Sequence, residues 1–301
     1  MQFDGILFFP LTPFDSKGNV NESVLTEHIA SGVEHGAGGV FAACGTGEIH
    51  ALSAAEHATV VRRAVEVSAG RTPVVAGAGG SVGTAVEQTA LAREVGADGV
   101  LLLPPYLVNA PQKGLVDYVR TVADAVDIPV VIYQRGTLDL DPDSVAELAR
   151  IPNVVGFKDG VGDVGRMHQI VLAVRQAHGE DFTFFNGLPT AELTVGAYSA
   201  VGVPLYSSAA FAFVPEVANT FYQAFHAGDA LAGRILRKFY EPFVRLRDRT
   251  PGYAVSLVKA GSRLRGFEVG GVRAPLADPT PQEENALAEL IETGLALVKE
   301  G

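Results

Sequence analysis

The chain has one cysteine, two methionines and no tryptophan in 301 residues, and its 34 acidic side chains outnumber 23 basic ones. A lone thiol, Cys44, cannot close an intramolecular disulfide. The seven histidines show no close pairing with Cys, Asp or Glu at metal-ligand spacing, so no structural metal is expected, and the expected cofactor set is empty. A net charge of −11 argues against nucleic acid or an anionic membrane as partner. It also means that local donors must hold any anionic substrate against an unfavourable overall field. No apolar run approaches the roughly 18 residues of a membrane span. The N-terminus, with Asp4 and no basic stretch, does not resemble a signal peptide, which leaves the cytoplasm as the expected compartment.

What is present is a rhythm. At 48% apolar and 19% charged, the chain can bury one large core or two small ones. Runs rich in Val, Ile, Leu and Phe recur near 5–9, 39–43, 73–76, 99–103, 129–133, 154–158, 182–186 and 201–206. Between them, helical periodicity predicts helices over 23–34, 54–69, 82–95, 112–125, 142–150, 162–177, 190–199 and 215–227. Ser53 and Glu56 have capping-box spacing, and Pro142 follows the candidate N-cap Asp141. Eight strand–helix units with near-continuous apolar strands suit a closed (β/α)8 TIM barrel of the α/β class, with an open doubly wound sheet as runner-up. The expected barrel domain spans 1–228. Beyond it, 229–249, 252–265 and 281–299 read as a three-helix C-terminal extension, 229–301, packed on the barrel or on a neighbouring subunit.

In such a barrel the active site lies at the C-terminal ends of the strands. Lys158 closes the apolar run Val154-Val155-Gly156-Phe157-Lys158, where Gly156 is expected to leave room beside the lysine stem. An amine held among apolar side chains has its charged form disfavoured and becomes a nucleophile toward a carbonyl, giving a Schiff base. An arbitrary strand-end lysine more often snorkels to water. Tyr133 shares strand parity with Val131 and is a candidate to shuttle protons for such an imine, although a lone tyrosine is more often a core residue. After the second strand, Cys44-Gly45-Thr46-Gly47-Glu48 reads as a small anion cradle or as an ordinary glycine turn. Arg135, Asn186, Ser207 and Ser208 follow strands five, seven and eight and are candidates for the distal part of a substrate.

Together with Thr12-Pro13-Phe14, these segments resemble the dihydrodipicolinate synthase and N-acetylneuraminate lyase superfamily over nearly the whole chain. The resemblance implies a lysine-dependent barrel, usually a homotetramer, with Lys158 as the Schiff-base lysine and Tyr133 as the proton-relay tyrosine. It also implies that Thr46, with Gly45, holds the carboxylate of a 2-oxo acid. Within the superfamily, the runs Phe8-Phe9-Pro10-Leu11-Thr12-Pro13-Phe14-Asp15, Leu103-Pro104-Pro105-Tyr106-Leu107, Lys158-Asp159-Gly160-Val161-Gly162-Asp163 and Asn186-Gly187-Leu188-Pro189-Thr190 are most similar to the 5-dehydro-4-deoxyglucarate dehydratase family. Dihydrodipicolinate synthase fits less well. It expects a second threonine at Gly45, a tyrosine at Leu107 and an arginine at Leu138. Two residues depart from the dehydratase pattern as well: Gln134 and Ala212 stand where asparagine is expected.

The implied substrate is a six-carbon keto dicarboxylate, a small-molecule sugar acid. Lys158 would condense with its ketone, acidify the adjacent CH2 and expel the β-hydroxyl as water, with Tyr133 and Thr46 as proton carriers. The implied reaction also releases CO2, and a carboxylate bonded directly to the imine carbon cannot use the same electron sink without prior tautomerisation. The competing enzyme reading is a retro-aldolase that cleaves a 2-keto-3-deoxy sugar acid to pyruvate through the same lysine. The competing non-enzyme reading is a barrel that only binds sugar acids.

Overall fold

The computed structural model describes residues 1–300. Strand and helix alternate as β1 (Leu7–Phe8), α1 (Glu22–Glu34), β2 (Gly39–Ala42), α2 (Ala54–Ser68), β3 (Val74–Gly80), α3 (Val82–Glu94), β4 (Gly99–Pro105), α4 (Gln112–Ala125), β5 (Val130–Gln134), α5 (Pro142–Leu148), β6 (Val154–Asp159), α6 (Val164–His178), β7 (Thr183–Asn186), α7 (Val195–Ala200), β8 (Leu205–Ser208) and α8 (Pro215–His226). The strands follow one another in chain order in a closed parallel barrel. Helices α9 (Ala230–Ile235), α10 (Glu241–Arg247), α11 (Tyr253–Leu264) and α12 (Pro281–Val298) complete the chain. Among the described residues, no helix is long and apolar enough to cross a membrane.

Local chemistry accounts for the element ends. Ser53 and Glu56 form the reciprocal capping box at the start of α2, and Asp141 caps α5 with Pro142 in its first turn. Three elements differ from the sequence expectation. β8 begins at Leu205 rather than near 201, because Gly202 turns at φ +88° and Pro204 has no N–H for a ladder. α7 begins at Val195, because Thr190 lies in the left-handed region at φ +55° and leads into a short 3-10 turn. The helix expected over 229–249 is interrupted by a π segment, Leu236–Tyr240, in which the Glu241 N–H reaches back to the Leu236 carbonyl. Pro242 follows. Its ring cannot tolerate the carbonyl four residues back, and the wider turn relieves that conflict.

Two compact units can be distinguished: Met1–Gln2 with Pro73–Ser207, and Phe3–Thr72 with the chain from Ser208 onward. In the first, β3 to β7 pair in parallel with their neighbours, and their central residues, such as Val100, Leu101, Val131, Ile132 and Phe157, are fully buried. The β5–β6 ladder carries an irregularity. Val130 pairs with Val154 but Val131 pairs with Gly156, so Val155 is an extra residue.

In the second unit Phe8, Phe41, Phe211, Phe213, Phe221, Phe239 and Tyr240 are all buried. His28 on α1 packs with its ring edge-on to Phe8 and Phe267 at 5.4 Å each. Its Nε2 accepts the Leu11 N–H at 3.2 Å, so the ring is a neutral acceptor. Burial pushes its pKa down from 6.5 to about 4. The unfolded chain therefore binds a proton between those values that the folded chain does not, and His28 subtracts stability progressively as pH falls from about 6.5 to about 4. The total is on the order of 3 kcal/mol. Urea unfolding from pH 7 to pH 4 should show this loss, and His28→Gln, which keeps an acceptor for Leu11, should flatten it. An unchanged pH slope in that variant would refute the assignment.

Candidate active site

The extra residue in β6 decides what faces Lys158. With Val155 out of register, Tyr133 pairs with Lys158 rather than with Phe157, and Lys158 pairs in turn with Phe185 on β7. Lys158 is 4% exposed and its Nζ lies 4.3 Å from the centroid of the Tyr133 ring. The room for its stem does not come from Gly156, whose missing side chain would meet Thr183, Phe185 and Val131. It comes from Gly187, where a Cβ would fall 2.6 Å from Lys158 Cε and 2.8 Å from the Asp159 carbonyl. Tyr133 has a matching requirement: a Cβ on Gly160 would lie 2.9 Å from its Cε2. The Tyr133 hydroxyl donates to the Gly187 carbonyl at 3.2 Å and accepts from Arg135 Nη1 at 3.2 Å. Lysine, tyrosine and arginine thus form one cluster on the ends of β5 and β6.

The alternation of β6 sends Asp159 away from Lys158 into a buried polar knot. Asp159 is 1% exposed and accepts from the N–H groups of Val161 (3.1 Å) and Gly162 (3.2 Å), from Gln134 Nε2 (3.3 Å) and from the Tyr198 hydroxyl. Burial first, and the bond to Asp159 second, push the Tyr198 hydroxyl well above the ordinary tyrosine range, so it stays protonated as a donor. Gln134 also accepts the Leu140 N–H at 2.9 Å, joining the β6 end to the loop after β5. In that loop Arg135 and Leu138 exchange backbone hydrogen bonds across Gly136, which has φ +57°. Leu138 is fully buried while Arg135 is exposed. The sequence does not mark Asp159, Tyr198, Gly160 and Gly187 as site-forming residues. The Lys-Asp-Gly run and the glycine after Asn186 were the available signals, whereas Tyr198 carried none.

The other candidates are placed as follows. Asn186 is fully buried; its Nδ2 donates to Thr194 Oγ1 (2.8 Å) and the Ala191 carbonyl (3.3 Å), and its Oδ1 accepts the Leu188 N–H (3.2 Å). Its side chain therefore shapes the loop that carries Gly187. Ser207 Oγ donates to the Asn186 carbonyl at 3.4 Å. Ser208 Oγ accepts the Phe211 N–H at 3.1 Å, and Ala212 is buried with its carbonyl accepting from Ser262.

In the second unit, the turn after β2 runs from Cys44 to Glu48. It is closed by the Glu48 N–H on the Gly45 carbonyl (3.1 Å) and the Ile49 N–H on the Cys44 carbonyl (3.2 Å). Thr12 Oγ1 donates to the Gly47 carbonyl at 2.7 Å. Gly45 is exposed and Thr46 half-buried, and a Cβ on Gly45 would meet nothing within 4 Å, so the fold does not demand glycine there.

A model of the Dihydrodipicolinate synthetase family matches residues 2–294. The chain belongs to this family. Among its relatives, a Streptomyces coelicolor protein named "Probable 5-dehydro-4-deoxyglucarate dehydratase 1" is 54% identical over 299 residues, covering 99% of this chain and 95% of that protein. A Paracidovorax citrulli protein named "Probable 5-dehydro-4-deoxyglucarate dehydratase" is 44% identical, covering 96% of this chain and 94% of its own length. Among solved structures, dihydrodipicolinate synthase from Oceanobacillus iheyensis superposes with a TM-score of 0.89 at 27% identity, covering 98% of this chain and 97% of that one. The pyruvate complex of the Acinetobacter baumannii synthase gives a TM-score of 0.84 at 26% identity, covering 97% and 99%.

The cluster makes a sharp prediction at Gly187. Gly187→Ala should leave the fold intact by circular dichroism yet slow borohydride trapping of pyruvate by about 100-fold, because displacing a reacting group by about 1 Å costs that much. Gly83→Ala, where a Cβ meets nothing within 4 Å, should trap at the wild-type rate. Wild-type trapping in Gly187→Ala would show that the lysine position is not set by this contact.

Proposed function

We propose that this chain is a decarboxylating hydro-lyase that converts 5-dehydro-4-deoxyglucarate to 2,5-dioxopentanoate, CO2 and water through an imine on Lys158. The observation that carries the reading is the buried Lys158 amine facing the Tyr133 ring at 4.3 Å, in a chain 44% and 54% identical to relatives named for that dehydration. The Lys158 amine adds to the ketone and loses water to give an iminium. Removal of a proton from the adjacent CH2 forms an enamine, whose electron pair expels the β-hydroxyl as water. The iminium is now conjugated with a new carbon–carbon double bond, and the far carboxylate sits on the carbon beside that bond. Its C–C electron pair can flow through the conjugated system to nitrogen, and CO2 leaves. Reprotonation and hydrolysis release the keto-aldehyde acid and free Lys158. The carboxylate on the imine carbon is retained, which removes the difficulty of decarboxylating there.

In this reading Gly45, Thr46 and Gly47 receive the retained carboxylate. Tyr133, between a cationic donor and a carbonyl acceptor, relays protons with Thr46. Arg135, Ser207 and Ser208 meet the distal hydroxyls and carboxylate. Asn186 acts by holding the loop of Gly187. The acidic chain with its one buried cysteine suits the cytoplasm. A homo-oligomer, as dimer or tetramer, is supported by the apolar run Tyr106, Leu107 and Val108, which are 72%, 76% and 56% exposed.

Intact-mass analysis after borohydride reduction with the diacid, followed by peptide mapping, tests the proposal. A diacid-derived adduct on Lys158, with CO2 and semialdehyde in the unreduced reaction, is expected, and Lys158→Ala should lose turnover by at least a thousandfold while staying folded. A pyruvate adduct without diacid turnover would replace this reading with an aldolase. No adduct with either would leave a binding barrel.

A further inference from the structure

The turn expected to cradle a carboxylate ends in Glu48, a buried residue held in the left-handed region at φ +58°. A non-glycine residue stays there only when its surroundings over-determine it. Those surroundings come from the far end of the chain. Glu48 Oε1 accepts from Lys259 Nζ on α11 at 2.6 Å, across 211 residues of sequence, with both side chains fully buried. Glu48 Oε2 accepts the Arg273 N–H at 2.9 Å. Lys259 also donates to the Gly271 carbonyl at 2.8 Å and lies 4.1 Å above the Phe14 ring. The Arg273 guanidinium stacks on the same ring at 3.9 Å, pairs with Glu56 and donates to the Ala51 carbonyl at 2.8 Å. Both ends of the segment Glu48–Ala51 are therefore pinned by residues from beyond position 258.

We infer that Lys259 is a positioning residue for carboxylate recognition: with Arg273 it fixes the Glu48 end of the turn, and its charge cancels a carboxylate that would otherwise repel the substrate's own. The inference rests on the proposed imine chemistry and on the Gly45–Gly47 turn as its carboxylate site. Its physical basis is a sign problem. A cradle for an anion is directly followed in sequence by a buried anion, and a like charge next to the cradle opposes anion binding unless it is compensated. Lys259 supplies the compensation. Its ammonium is committed to Glu48 and the Gly271 carbonyl, which separates its role from the nucleophilic role of Lys158. Burial pulls the Lys259 pKa down and the Glu48 carboxylate opposes that pull.

The test compares two ketones that differ in the carboxylate alone. Borohydride trapping on Lys158 is titrated with pyruvate and with hydroxyacetone in the wild type and in Lys259→Met, with folding checked by circular dichroism. Lys259→Met should raise the half-saturating pyruvate concentration at least tenfold while leaving that of hydroxyacetone within about twofold. A general structural defect would weaken both ketones equally, and that result would overturn the inference, as would an unchanged pyruvate titration. If Lys259→Met does not fold, Lys259→Gln, which keeps a donor toward Glu48 without the charge, carries the same comparison and the same criteria. Absence of any adduct on the wild type would overturn the imine reading and this inference with it, whereas failure of the ketone comparison alone leaves the imine reading standing.

Discussion

One inserted residue governs the site. If β5 and β6 ran in unbroken register from Val130 and Val154, Tyr133 would lie opposite Phe157, and Lys158 would pair beyond the tyrosine. The extra Val155 advances the ladder by one, and the two polar side chains come side by side. Everything near the lysine follows from that offset. Gly160 must lack a side chain because Tyr133 now stands beside it, and Gly187 must lack one because the lysine stem does. Asp159 then falls on the outer face, where four donors can reach it.

The barrel was readable from the sequence because its signals are local. Apolar runs, capping residues and helical periodicity each act within a few residues, and eight strand–helix units summed them in favour of a closed barrel over an open sheet. The placement of Lys158 and Tyr133 at strand ends is readable for the same reason, since a lone polar group at the end of an apolar strand stands out. Contacts between distant segments were not readable. Gly156, two residues before the lysine, is the natural source of space on parity alone, yet the space belongs to Gly187 in the loop after the next strand. Asn186 looked like a ligand-facing amide, but Thr194, Ala191 and Leu188 occupy its polar atoms. The unexpected Gln134 finds its explanation only in three dimensions, where it spans from Asp159 to the Leu140 N–H.

The C-terminal extension shows the same limit more strongly. From its sequence it was a set of amphipathic helices that needed something to pack on. In the structure α11 and the segment after it supply Lys259 and Arg273 to a turn more than 200 residues earlier. A buried ion pair contributes little net stability, because desolvation offsets much of its attraction, and an apolar pair of similar volume would often serve the fold as well. The arrangement makes sense when geometry and local charge at the turn matter more than stability.

The proposed chemistry asks opposite things of the substrate's two carboxylates. The retained one can be held by fixed donors throughout, since its bonds do not change. The departing one cannot be gripped in the same way: a cation clamped on it would stabilise the reactant more than a transition state in which its charge drains toward the imine nitrogen. Arg135 fits that requirement in an informative manner, because its Nη1 is turned toward the Tyr133 hydroxyl at 3.2 Å. A guanidinium shared with the tyrosine can orient the distal end on arrival and yet favour the proton relay as CO2 forms. The site's selectivity for dehydration with decarboxylation would then lie in how firmly each end is held, with the imine serving both steps as the common electron sink.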